Sequence, residues 1–129
     1  MTVVVGYIPN PQGLAAVDAA IVEAERRGSK LVVVNSGVLG DYSGPSFAEP
    51  QDLDALDTQL TERGIEHEVR QMTRGLAPAD EILSVAAEVG AELIVIGVRK
   101  RSPLGKLVTG STAQQVLLDA TCAVLAVKA

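Results

Sequence analysis

LIVIGVRKRSPLGKLVTGST, residues 93–112, runs from a four-residue apolar stretch through a glycine and a basic loop to a Gly-Ser-Thr that opens a helical pattern. Leu93-Ile94-Val95-Ile96 is apolar without a break and too short for a helix. It therefore reads as a strand buried on both faces of a sheet, the strongest strand in the chain. Upstream, Pro78 stands at a first helical position with Asp80 and Glu81 in the first turn, where their charge suits the helix dipole. Ile82, Leu83, Ala86 and Val89 supply the apolar stripe of that helix, and Gly90 ends it. One helix feeding one buried strand is a parallel-sheet unit.

The same unit repeats toward the N-terminus. Val3-Val4-Val5 reads as a buried first strand that ends at Gly6, before the turn material Pro9-Asn10-Pro11. Leu14, Val17, Ile21 and Ala24 recur at helical spacing and close on Arg26-Arg27-Gly28, basic residues and a glycine where a helix C-terminus favours them. Leu31 to Val34 is a second strand. Asn35 to Asp52 follows, rich in glycine and proline and without periodicity, and a loop of that length inside a compact domain is usually functional or mobile. Leu53, Leu56 and Leu60 mark a second helix that stops near Arg63-Gly64. Glu66 to Met72 alternates weakly, as a third strand at a sheet edge would. Past the basic loop come a helix from Ser111 to about Asp119 and a last strand from Ala123 to Val127. The order β-α-β-α-β-α-β-α-β implies an α/β fold of one domain over residues 1–129, with a five-stranded parallel sheet and helices on both faces.

Composition narrows the chemistry. Of 129 residues, 47% are hydrophobic, yet Tyr7, Tyr42 and Phe47 are the only aromatics, so exposed bases would find few stacking partners. The net charge is −5, but Arg99, Lys100, Arg101 and Lys106 fall within eight residues, and without those four cations the chain would stand at −9. One concentrated basic loop on an acidic protein suits a small anionic ligand rather than a nucleic acid. Cys122 is alone, which excludes an internal disulfide, fits a reducing compartment and reads as a small buried hydrophobe. No apolar run approaches the roughly 20 residues that span a bilayer, and no signal peptide is apparent, so the expectation is a soluble cytoplasmic protein without a membrane partner. His67, the only histidine, lies between Glu66 and Glu68 and reads as solvated. Asp41 and Glu49 read as ordinary loop carboxylates that could approach a ligand or Mg²⁺.

In open α/β sheets ligands bind beyond the carboxyl ends of the strands, where adjacent loops diverge. If the first and fourth strands are neighbours, Gly6 to Asn10 and Gly97 to Ser111 face each other across a crevice, which Tyr7, Ile8 and Pro9 would line. Ser111-Thr112-Ala113-Gln114 matches a capping box, in which the serine hydroxyl accepts from a free N–H and Gln114 reaches back. The same helix start, preceded by Gly110, presents N–H groups and partial positive charge to phosphate oxygens. A Walker A loop is absent, because Leu107 follows Gly105-Lys106, and no GxGxxG surrounds Gly6. No serine, histidine and acid set, nor any metal-ligand spacing, can be placed in the crevice.

Gly97, two residues, position 100, nine residues, then Gly110-Ser111 resembles the glycine, two, glycine, nine, glycine-serine signature of the universal stress proteins. The resemblance covers essentially the whole chain, including Gly75 to Gly97 as that family's third helix and fourth strand. It implies an adenine-nucleotide alpha-hydrolase-like, Rossmann-like three-layer sandwich with strand order 3-2-1-4-5. It also implies binding of ATP or another adenine nucleotide in a stress response, with or without Mg²⁺, and without efficient catalysis. Gly97 would let the ligand approach the backbone, Gly110, Ser111 and Thr112 would hold phosphates, and Arg99, Lys100, Arg101 and Lys106 would neutralise their charge. Two positions depart from the family: Lys100 replaces the second glycine, and Ile8 stands where ATP-binding members carry an aspartate that contacts the nucleoside. A second reading is therefore a non-nucleotide-binding interaction module with a vestigial anion site, which forms a homodimer through the final strand, Val124 to Val127. A third is a weak ATP-hydrolysing enzyme.

Overall fold

The computed structural model describes residues 1–37, 40–99 and 110–129. Lys100, Arg101 and Lys106 of the basic loop lie outside the described residues. Five strands and four helices alternate: β1 (Thr2–Gly6), α1 (Pro11–Arg27), β2 (Lys30–Ser36), α2 (Pro50–Glu62), β3 (His67–Met72), α3 (Pro78–Val89), β4 (Leu93–Val98), α4 (Ser111–Asp119) and β5 (Ala123–Lys128). The strands form one parallel sheet in the order β3-β2-β1-β4-β5. Val3, Val4 and Val5 of the central strand are fully buried, as their unbroken β-branched run requires.

Two aliphatic clusters cover the two faces of the sheet. On one, Val3, Val5, Leu31, Val33 and Val95 meet Val17, Ile21 and Ala24 of α1 and Leu56 and Leu60 of α2. On the other, Val4, Val32, Ile94 and Ile96 meet Ile82 and Val85 of α3 and Ala113 and Val116 of α4. Each large aliphatic side chain removed from water favours folding by roughly 1.5–3 kcal/mol before conformational entropy is subtracted.

The ends of α1 are fixed by local chemistry. The Asn10 side chain accepts from the Gly13 N–H at 2.8 Å, and Pro11 starts the helix. Gly28, at φ 62, ends it by donating to the carbonyls of the last turn. The buried stripe departs from the sequence expectation: it is Gly13, Ala16, Val17, Ala20, Ile21 and Ala24, whereas Leu14 is 51% exposed. Gly13 packs directly on the Ile8 backbone, where a Cβ would overlap, and that contact turns the face carrying Leu14 toward solvent.

Three further details differ from the sequence reading. Helix α2 starts at Pro50 rather than Leu53, because the Asp52 carboxylate accepts from the Glu49 N–H at 3.0 Å and fastens the first turn. Ser111 is the first helical residue of α4 and Gly110, at φ 81 and ψ 160, is its cap, so the Ser111–Gln114 capping box does not form. In α3 the buried residues are Ala79, Glu81, Ile82, Val85 and Ala86, while Leu83 and Val89 pack only in part. Cys122 is likewise half-buried beside the α3–α4 cluster.

Candidate functional site

β1, β2 and β4 end on the same side of the sheet, and a cavity of about 170 Å³ opens there. Gly6, Tyr7 and Ile8 bring β1 and its following loop to it, Val34 and Ser36 bring β2, and Ile96 and Gly97 bring β4. The helices contribute their first turns: Gln12 and Gly13 from α1, Pro78 and Ile82 from α3, Thr112 and Ala113 from α4. Ser46, in the loop before α2, completes the described lining. Every one of these residues is uncharged, so the walls suit a flat neutral group with a few hydrogen-bonding edges.

Of the residues singled out from the sequence, Gly97, Thr112, Tyr7 and Ile8 line the cavity. Gly110 and Ser111 are exposed and immediately precede Thr112, while Arg99 is exposed just past β4 and Pro9 follows Ile8 without entering the described lining. The first bond of α4 runs from the Gln114 N–H to the Gly110 carbonyl at 3.2 Å. The N–H groups of Ser111, Thr112 and Ala113 therefore have no acceptor within the helix, and Thr112 and Ala113 line the cavity. Asp80 accepts from Gln115 at 2.7 Å and so ties the first turn of α4 to that of α3.

Gly97 has a packing reason for its identity. A Cβ there would meet the Gln12 carbonyl, so α1 rests directly on the β4 backbone. The sequence reading assigned the close approach at Gly97 to a ligand, whereas the backbone that approaches it in the structure is that of α1.

Asn35, Gln71, Ser36, Ser46 and Gln12 were not singled out from the sequence. Asn35 carried a signal, as a polar residue closing an otherwise apolar strand at the end where ligands bind. Asn35 is 1% exposed, and its side chain bonds to the Tyr7 and Ser46 carbonyls, the Ala48 N–H and Gln71. The phenol of Tyr7, 4% exposed, is held above its ordinary pKa first by burial and then by the charge of Asp52, so it stays neutral. Asp41 accepts from the Ser43 N–H and hydroxyl, both at 3.1 Å, which makes it a turn former. Glu49 accepts from Gln51 at 2.9 Å. Neither carboxylate belongs to the described lining.

A model of the Universal stress protein family matches residues 1–128. The chain belongs to the universal stress protein family. A universal stress protein of Mycolicibacterium smegmatis is 40% identical over 126 residues, 98% of this chain and 96% of that one. The structure of a universal stress protein from Archaeoglobus fulgidus superposes with a TM-score of 0.83 at 34% identity, covering 99% of this chain and 98% of the other. A universal stress protein solved in complex with cAMP gives a TM-score of 0.76 at 26% identity, with 98% and 96% covered. This family member has their adenine-nucleotide alpha-hydrolase-like fold, with the order 3-2-1-4-5 expected from its sequence. Among the described residues no helix is long and apolar enough to cross a membrane.

Proposed function

We propose that the protein binds an adenine nucleotide, ATP or a relative of it, in the cavity at the ends of β1, β2 and β4, and acts by binding rather than catalysis. The observation that carries this reading is the junction of two unlike surfaces. Uncharged walls suited to a base or nucleoside meet the N–H groups at the start of α4 that have no acceptor within the helix, and these suit phosphate. Gly110, Ser111 and Thr112 would then hold phosphate oxygens, with Arg99, Lys100, Arg101 and Lys106 adding positive charge along the loop between. Similarity to a family member solved with cAMP supports the choice of adenine. Because Ile8 offers no carboxylate, the nucleoside is held by shape and backbone groups, and affinity lies below that of members with an acid there. The described lining holds no carboxylate, histidine or cysteine, which favours a binding role over hydrolysis. Equilibrium titration with ATP, ADP, AMP and cAMP, with and without Mg²⁺, tests the reading. Saturation in the micromolar to millimolar range supports it, and no binding at millimolar nucleotide refutes it.

A second reading, a homodimer through Val124 to Val127, is favoured by one observation. β5 is an edge strand, and on α4, which packs against it, Leu118 is 81% exposed, with Leu117 at 47%. Sedimentation of the parent chain and of Leu118→Glu decides it: a parent dimer that dissociates in the variant supports the reading, and a parent monomer at micromolar concentration refutes it. A cytoplasmic location fits the lone Cys122 and the absence of a possible internal disulfide.

A further inference from the structure

Two parts of the cavity lining, Tyr7 after β1 and Ser46 in the loop before α2, are joined through one side chain. Asn35, near the end of β2, donates from Nδ2 to the Tyr7 carbonyl at 2.9 Å and to the Ser46 carbonyl at 2.9 Å. Its Oδ1 accepts from the Ala48 N–H at 3.0 Å and from Gln71 Nε2 at 3.1 Å. A carboxamide has two donor hydrogens and two acceptor positions, so all four are used. The orientation of the amide is fixed by its partners, since a reversed group would face two carbonyls with oxygen and two N–H donors with nitrogen. Gln71 Nε2 also donates to the Ala48 carbonyl at 2.8 Å, which closes a ring through β3. The loop before α2 is thus fastened at Ser46 and Ala48 to β1, β2 and β3 together.

Tyr7 and Ser46 both line the cavity, and Asn35 itself is 1% exposed and outside the described lining. We propose that Asn35 is the positioning residue of the cavity: its carboxamide holds the Ser46 wall at a fixed distance from β1, so the neutral half of the site is shaped before a ligand arrives. A preformed wall spares the ligand the entropy of ordering that loop. The ligand part of this inference rests on the nucleotide reading above; the clamp does not. Removal of the carboxamide leaves the buried Tyr7 carbonyl, the part-buried Ser46 carbonyl and the buried Ala48 N–H without this partner, which the loop relieves by moving away into water.

Asn35→Ala, Asn35→Asp and Gln71→Ala in the full chain test the clamp by amide hydrogen exchange without ligand, and by titration with AMP and with inorganic phosphate. Asn35→Asp keeps the size and both acceptor positions while removing the amide donors. Gln71 is only partly buried, so Gln71→Ala keeps the test open if an Asn35 variant fails to fold. The Ala48 N–H is expected to exchange about tenfold faster or more in Asn35→Ala, while Val4 and Val32 at the sheet centre keep their rates. The AMP dissociation constant is expected to rise about tenfold and that for phosphate to change less than about twofold, because among the described residues no hydrogen bond joins the start of α4 to this loop. Unchanged exchange at Ala48 overturns the clamp, and AMP affinity equal to the parent's despite faster exchange overturns its role in binding. A parent protein that takes no AMP refutes the nucleotide reading instead, and exchange at Ala48 then decides the clamp alone.

Discussion

Gly97 in β4 lies against Gln12 in the first turn of α1, so close that a Cβ on Gly97 would stand 2.7 Å from the Gln12 carbonyl carbon. The obstacle is backbone, which cannot swing aside as a side chain can. Gly97→Ala is therefore expected to lose about 1–3 kcal/mol of stability, read by urea denaturation. Because Gln12 and Gly13 line the cavity, nucleotide affinity should fall with it. A stability loss below about 0.5 kcal/mol would show that α1 seats itself elsewhere at no cost.

Gly110 has the opposite character. No heavy atom of the described residues stands within 4 Å of the place a Cβ would occupy, but its φ of 81 combined with a ψ of 160 belongs to a region that essentially only glycine visits. Gly110→Ala should cost about 1–3 kcal/mol through conformation alone. Asparagine, which tolerates the left-handed helical region, should rescue nothing. Equal denaturation midpoints for Gly110→Asn and the parent would contradict this.

His67, which reads as solvated from the sequence, instead stands between two acceptors with its side chain 12% exposed. Its Nε2 faces Asp57 at 2.6 Å and its Nδ1 faces the Ile65 carbonyl at 2.7 Å, two acceptors that only the doubly protonated ring satisfies. Its pKa is raised, first by the Ile65 hydrogen bond, against an opposing effect of partial burial, and then by the hydrogen bond and charge of Asp57. A raised folded-state pKa gives stability that is fully present below the ordinary value of 6.5 and lost as pH rises through the folded value. The difference in melting temperature between the parent and His67→Gln should be larger at about pH 5.5 than at about pH 8.5. A difference independent of pH would mean that the ring is neutral.

Glu81 is 1% exposed and accepts from Arg74 Nε at 3.0 Å and Nη2 at 2.6 Å, while its other oxygen has no partner among the described residues. Arg74→Met should cost about 1–3 kcal/mol, less than for a fully buried pair because half of the arginine side chain is in water. Arg74→Met combined with Glu81→Leu should recover most of the loss. A double variant no more stable than Arg74→Met, measured by denaturation, would show that Glu81 does not depend on the arginine.

The parallel sheet was legible because it is written in local patterns. Val3 to Val5, Leu31 to Val34 and Leu93 to Ile96 are apolar runs that no exposed element tolerates, and Gly28, Gly90 and Pro78 mark helix ends by backbone chemistry alone. Tyr7, Ile8, Gly97 and Thr112 followed from knowing at which end of such strands a cavity opens. The other features depend on contacts between distant segments. Glu81 reads as an acid whose charge suits a helix start, and only Arg74, seven residues earlier in the loop after β3, makes it a buried partner. Asn35 and Gln71 are 36 residues apart and meet because β2 and β3 pair in register. Ser111 satisfies the capping-box pattern, yet the conformation of Gly110 shifts the cap by one residue, which no pattern of side-chain types records.

The central place of β1 also orders the birth of the fold in time. Val3 pairs with Leu31 on one side and Leu93 on the other, so β1, made before the other strands of this sheet, keeps one edge open until the fourth has been synthesised. At about 5–20 residues per second, that edge waits several seconds beyond the completion of β2. The Val-rich β1, unpaired on one side and free of charge, is for that interval the segment most exposed to wrong pairing with other chains. Slower elongation between β2 and β4 should therefore lower the soluble yield of this protein more than the same delay placed after β4.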